Sequence, residues 1–156
     1  MCIRDSYQNI KTINSVGTSS WTDGSVKTGK TYYYKIKTVV KTQNGEQTSG
    51  FSNVKSAKAV PAKTTLKAKA SDAKNVKLTW SKVKGASGYE IYRSNSKDGK
   101  CSKVKTISKG STTSYKNGKL KKSTTYYYKI RAYRKVNGKK VYGSYSSVVS
   151  VKTKAK

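Results

Sequence analysis

Few residues in this 156-residue chain could do acid–base or nucleophilic chemistry. There is no histidine. The carboxylates Asp5, Asp23, Glu46, Asp72, Glu90 and Asp98 are scattered. None forms the close pair that glycoside hydrolysis requires, and none sits in an oxygen-rich calcium loop. Asp23 and Asp98 lie in turn-like contexts, where an Asp side chain ordinarily bonds to nearby backbone. Glu90 falls on a strand face opposite Tyr89 and Ile91, and is expected to be a solvated charge. Cys2 and Cys101 provide neither a disulfide framework nor metal-ligand spacing. Cys101 also has no histidine to act as its base. The expectation is a non-enzymatic chain with no metal and no cofactor.

Charge and tyrosine remain. Lys and Arg number 35 against 6 Asp and Glu, a formal charge of +29. Residues 1–60 carry +6 of this and residues 61–156 carry +23. Such a field attracts polyanions at low salt: anionic cell-wall polymer, acidic polysaccharide, nucleic acid or anionic membrane. Only four of the cations are arginine (Arg4, Arg93, Arg131 and Arg134). Bidentate recognition of bases and phosphates favours Arg, so diffuse attraction is expected and nucleic acid is not. The same lysines would also cover strand faces and edges and keep edges from pairing with other chains. A second candidate surface is Tyr127, Tyr133 and Tyr142 with Lys129 and Arg131, a strip suited to stacking on sugar rings. Cross-strand packing of rings against lysine stems accounts for the same residues.

These side chains project from residues 125–132, read Thr-Tyr-Tyr-Tyr-Lys-Ile-Arg-Ala. The period is two: Tyr126, Tyr128, Ile130 and Ala132 on one face, Tyr127, Lys129, Arg131 and Tyr133 on the other. A hydrophobic share of 33% with this charge is compatible with disorder, but 13 Tyr and 2 Trp placed at strand periodicity argue for folded β-structure. Further strands are predicted over 65–70, 76–80, 89–93, 104–107, 112–115 and 146–152. Turns are predicted at 84–88 and at Asn117-Gly118, and a hairpin loop at Asn137-Gly138. No segment has helical periodicity.

The Tyr segment recurs at 31–38, as Thr-Tyr-Tyr-Tyr-Lys-Ile-Lys-Thr, an offset of 94 residues. The same offset lays Lys11-Thr12-Ile13 on Lys105-Thr106-Ile107, Gly24 on Gly118, and Phe51 on Tyr145. A period of this length suits tandem β-sandwich domains and is too long for a solenoid. The expected division is a full copy over 61–156, the second half of a copy over 7–60, and a tail over 1–6. Met1 to Ser6 matches nothing else in the chain and resembles translated adapter sequence. The single proline, Pro61, sits at the join, where it suits a linker or strand start. No apolar run approaches the length of a membrane span, and no signal peptide is visible.

The spacing Leu120, Tyr126, Tyr128, Ile130, Ala132 resembles that of a fibronectin type III domain, of the kind found in tandem in secreted and surface proteins of Gram-positive bacteria. The resemblance covers 61–156 and half a domain before it, where the frame reads Val26, Tyr32, Tyr34, Ile36, Thr38. Trp80 occupies the family's second-strand tryptophan position. Gly88-Tyr89-Glu90-Ile91-Tyr92-Arg93 looks like its third strand. The resemblance implies an all-β, immunoglobulin-like Greek-key β-sandwich. Its core would be Trp80, Tyr89, Ile91, Leu120, Tyr126, Tyr128, Ile130 and Ala132, with Val26, Tyr32, Tyr34 and Ile36 in the partial copy. Tyr126 and Tyr32 would be tyrosine corners, ring in the core and hydroxyl bonded to upstream backbone. The implied role is an extracellular spacer acting beside other domains of the same parent protein, or else a dedicated binding module. The family's Arg-Gly-Asp tripeptide is absent, and the hairpin that would carry it reads Asn137-Gly138-Lys139-Lys140.

Overall fold

The computed structural model describes residues 7–156, and the expected tail at 1–6 lies outside them. Every element among the described residues is a strand. The first four are short: β1 (Thr31–Tyr34), β2 (Val39–Thr42), β3 (Gly45–Thr48) and β4 (Lys55–Lys58). Then follow β5 (Leu66–Ala70), β6 (Val76–Trp80), β7 (Gly88–Ser94), β8 (Ser102–Ile107), β9 (Ser114–Asn117), β10 (Thr125–Val136), β11 (Lys139–Tyr142) and β12 (Val149–Lys152).

From Leu66 on, two antiparallel sheets face each other. One runs β5-β6-β9; the other runs β11-β10-β7-β8, with β12 also on β10. Alternation in β6 sends Val76, Leu78 and Trp80 inward, and alternation in β10 sends Tyr126, Tyr128, Ile130 and Ala132 to meet them. With Leu66, Val83, Tyr89, Ile91 and Leu120 they make one buried cluster. Trp80 lies across it, its ring centroid 5.4 Å from that of Tyr89.

A core built on tyrosine must satisfy hydroxyls, and each one here has a partner. The Lys121 N–H donates to Tyr126 Oη at 2.9 Å, closing the tyrosine corner. Tyr128 Oη donates to Asn117 Oδ1 at 2.8 Å, and Arg93 Nη1 donates to the same oxygen at 3.2 Å. Tyr89 Oη accepts from the Val83 N–H at 3.0 Å and donates to the Gly110 carbonyl at 3.2 Å. Asn117 was expected in a turn. It instead ends β9 and is buried, because Tyr128 and Arg93 both need its oxygen.

β10 is paired along both edges. β7 takes residues 127–133 on one side; β12 takes 125–128 and β11 takes 133–136 on the other. The expected strand over 146–152 starts only at Val149. The chain bulges between β11 and β12, where Ser146 binds Ile130 twice: its N–H donates to the Ile130 carbonyl at 2.7 Å, and its Oγ accepts from the Ile130 N–H at 3.1 Å. Asn137 and Gly138 turn the β10–β11 hairpin at φ of 48° and 74°.

The same bonding recurs 94 residues earlier. Lys27 N–H donates to Tyr32 Oη at 2.9 Å, and Tyr34 Oη donates to Asp23 Oδ2 at 2.9 Å. Ser52 binds Ile36 as Ser146 binds Ile130: its N–H donates to the Ile36 carbonyl at 2.8 Å, and its Oγ accepts from the Ile36 N–H at 3.1 Å. The β1–β4 register equals that of β10–β12. What differs is burial: no residue in 7–60 is buried. Val26, Tyr32 and Tyr34, expected as core, are only half-buried, and Ile36 is 75% exposed where Ile130 is 0%. The reason is topological. Among the described residues β1 pairs only with β4 and β2 only with β3, so none of them replaces β7 or the facing sheet. The strand that is continuous in β10 accordingly breaks at 35–38.

Removing one hydroxyl from each corner separates the two settings. Tyr126→Phe strands a backbone N–H in a partly buried position and should lower the unfolding free energy by about 1–3 kcal/mol. Tyr32→Phe acts where no core exists and should change it by less than about 0.5 kcal/mol. Urea unfolding of the two variants measures both, and equal losses would contradict the assignment.

Candidate functional site

The residues singled out for a ligand surface stand on the outer face of the larger sheet. Along β10 they are Tyr127, Lys129, Arg131 and Tyr133. Register sets Ser94 and Ser150 beside Tyr127, Tyr92 beside Lys129, Glu90 beside Arg131, and Gly88 and Tyr142 beside Tyr133.

Glu90 is the centre of this face. It was expected as a solvated charge, yet it is only 1% exposed. Arg131 Nη2 lies 2.9 Å and Tyr92 Oη 2.8 Å from its Oε2. Lys140 Nζ at 3.0 Å and Tyr142 Oη at 3.2 Å reach its Oε1, with Lys103 Nζ at 3.7 Å. Four strands therefore converge on one carboxylate: β7, β8, β10 and β11. Alternation correctly puts Glu90 outside the core, but the long side chains of its neighbours close over it. Burial opposes its ionisation, and the hydrogen bonds from Lys140, Tyr92 and Arg131 outweigh that, bringing its pKa to about 2. The Tyr92 hydroxyl is pushed up, first by burial and then by its bonds to Tyr145 and Glu90.

Arg131 is held as firmly as its partner. Its guanidinium carbon lies 3.7 Å from the Tyr142 ring centroid, 4.9 Å from Tyr145 and 5.4 Å from Tyr92. Tyr92 and Tyr145 meet edge to face at 5.2 Å, and Lys129 Nζ lies 4.4 Å over Tyr145. The guanidinium and ammonium occupy the ring faces that a sugar would need.

Tyr133 is a second correction. It was expected to be open to a ligand, but it is 1% exposed. Its strand partner Gly88 has no side chain, and the ring lies so close over it that a Cβ there would stand 2.6 Å from Tyr133 Oη. The hydroxyl donates to the Ile107 carbonyl at 3.3 Å, and Lys140 Nζ covers the ring at 4.5 Å. Tyr127, Lys129, Arg131 and Tyr142 remain half-buried. Tyr127 has the small side chains of Ser94 and Ser150 as its cross-strand neighbours.

Glu90, Tyr92, Lys140 and Tyr145 are the members of this cluster that sequence reasoning missed. One signal was present: Glu90 is the only carboxylate inside a predicted strand of the 61–156 segment, and Arg131 lies on the outward face of the Tyr strand, which the structure pairs with the Glu90 strand. Among the described residues no group of three or more His, Cys, Asp or Glu could hold a metal ion.

The clasp has a pH signature. A carboxyl group whose pKa is lower in the folded state contributes stability that is present above about pH 4.5 and is lost as pH falls toward about 2. Lys and Arg do not titrate in that window. Glu90→Gln should destabilise by on the order of 3 kcal/mol at pH 7, leaving Arg131 and Lys140 uncompensated. It should also flatten the acid limb of a stability–pH profile measured by urea unfolding between these limits. An unchanged acid limb would show that Glu90 does not bear that load.

No protein-family model and no curated protein matches the chain. Solved structures do. The FN1–FN3 domains of chicken CNTN1 superpose with a TM-score of 0.53 at 22% identity, covering 86% of this chain and 46% of that one. This chain thus spans less than half the length of that structure. The 6th fibronectin type III domain of human fibronectin type III domain containing protein 3 gives 0.53 at 18% identity, covering 64% and 92%. The crystal structure of FN3tt gives 0.50 at 21% identity, covering 63% and 99%. At these identities the likeness bears on fold. With two facing antiparallel sheets and a tyrosine pinned to upstream backbone five residues away, the chain is an all-β protein of fibronectin type III-like β-sandwich fold.

Proposed function

We propose that this chain is a non-catalytic spacer that positions other domains of a larger secreted or cell-surface bacterial protein, with weak lysine-mediated attraction to polyanions. On this reading residues 61–156 are one complete fibronectin type III domain, and residues 7–60 are the C-terminal half of a preceding one.

The observation that carries it is the recurrence of strand register and side-chain bonds at the 94-residue offset. Consecutive units of one fold make an extended array, and an array sets distance. The match to the chicken FN1–FN3 domains covers 86% of the chain, against 64% for the human single domain, which supports more than one unit. The join supports defined geometry. Pro61 is buried, and its carbonyl approaches Gly143 so closely that a Cβ there would lie 2.3 Å away. The linker is thus packed onto the bulge between β11 and β12.

The alternative is a dedicated module for carbohydrate or cell-wall polymer. Tyr127 favours it, standing half-buried between Ser94 and Ser150. The rings of Tyr92, Tyr142 and Tyr145 speak against it, since cations lie over their faces. Columns of teichoic acid and of acidic glycan at about 0.15 M salt, where exposed charges are screened beyond about 8 Å, separate the two. A spacer should wash through both, and retention on either would favour the dedicated module.

A further inference from the structure

The smaller sheet also has an outer face, and its chemistry differs from the clasp. Lys67 and Lys69 on β5, Lys77 on β6 and Lys116 on β9 are all exposed. Register sets Lys69 beside Lys77, and Lys77 beside Lys116. Three lysines therefore stand in one row across three strands, with neighbouring strands about 4.8 Å apart. Like charges directly opposite weaken a sheet, and on the other sheet the corresponding arrangement is Arg131 beside Glu90.

No salt bridge relieves the row among the described residues. Asp72, in the turn between β5 and β6, is near enough to Lys116 for an electrostatic pull on its carboxyl, but it makes no ion pair among the described residues and its oxygens are hydrogen-bonded locally. It accepts from the Lys74 N–H at 2.9 Å and from Asn75 Nδ2 at 2.8 and 3.0 Å. The next row holds Lys67, Thr79 and Ser114. A shallow depression of about 280 Å³ opens at the β9 side, lined by Ser71, Lys77, Ser114, Tyr115 and Lys116. Ammonium groups and hydroxyls together are donors for phosphate oxygens. Without arginine forks, and with Tyr115 the only ring at the depression, the face has little with which to read or stack bases.

We propose that the outer face of β5-β6-β9 is a docking surface for a linear, base-free polymer of linked phosphates. Lys69, Lys77 and Lys116 would neutralise successive charges, and the depression beside Ser71 and Ser114 would seat one phosphate. This rests on the polyanion reading above and gives it a location, on the sheet opposite the tyrosine face.

Inorganic polyphosphate is the probe, titrated against the full chain at about 0.05 M salt and upward. The triple variant Lys69→Gln, Lys77→Gln, Lys116→Gln is compared with Lys97→Gln, Lys122→Gln, Lys139→Gln. The control removes the same charge from scattered exposed positions. The row variant should bind at least about tenfold more weakly, and the slope of log affinity against log salt should shrink by about 2, at roughly 0.7 per lost contact. The control should lose about twofold or less. Equal losses in the two variants would overturn the location while leaving polyanion attraction standing. No binding by the unmodified chain even at low salt would overturn both. Tighter binding of hyaluronate or single-stranded DNA than of polyphosphate would overturn the ligand class.

Discussion

A β-strand has two hydrogen-bonding edges, and the fold depends on how β10 satisfies both. With β7 on one edge and β11 and β12 on the other, it runs unbroken over 12 residues and delivers four consecutive inward side chains to the core. Its counterpart at 31–42 begins with the same six residues but has partners on one edge only among the described residues, and it survives as two short pieces. Propensity is shared between the copies while burial is not. The comparison shows tertiary pairing, rather than the Tyr-rich sequence itself, deciding whether a long strand exists.

Electrostatics is organised around the same strand. One carboxylate, Glu90, gathers the Arg131, Lys140 and Lys103 cations and two tyrosine hydroxyls onto one face. The opposite sheet keeps its lysines exposed, and none of them forms a salt bridge among the described residues. The two outer faces thus differ in kind: one gathers its cations around a buried carboxylate and packs them on rings, the other presents lysines with no ion pair among the described residues. A chain at +29 can tolerate this because its lysines lie on long solvated stems, where repulsion is screened by salt.

Much of the fold was legible in the sequence because alternation is a local signal. The strand at Val76–Trp80 has its predicted bounds, and the inward residues of the Tyr strand are buried. The outer face was less legible. Period two says which side of a sheet a residue leaves from, not what folds over it afterwards. Glu90 is covered by side chains from three other strands, and Tyr133 by the accident of facing Gly88. Both depend on register between distant segments, which no single window contains. The half-exposed state of Tyr32 and Tyr34 follows from the partners absent from 7–60, a matter of counting strands rather than reading residues.

The bulge between Tyr142 and Val149 bears on how the molecule carries tension. A pull on the C-terminus is borne first by β12, whose four residue pairs with Thr125–Tyr128 lie along the line of force and are loaded together in shear. The load then meets Ser146, bonded twice to Ile130, before it reaches β11 and the Glu90 clasp. Failure would come in stages, with a short terminal segment giving way ahead of the sheet behind it. The bulge thus sets a short terminal segment apart from the sheet that holds the Glu90 clasp.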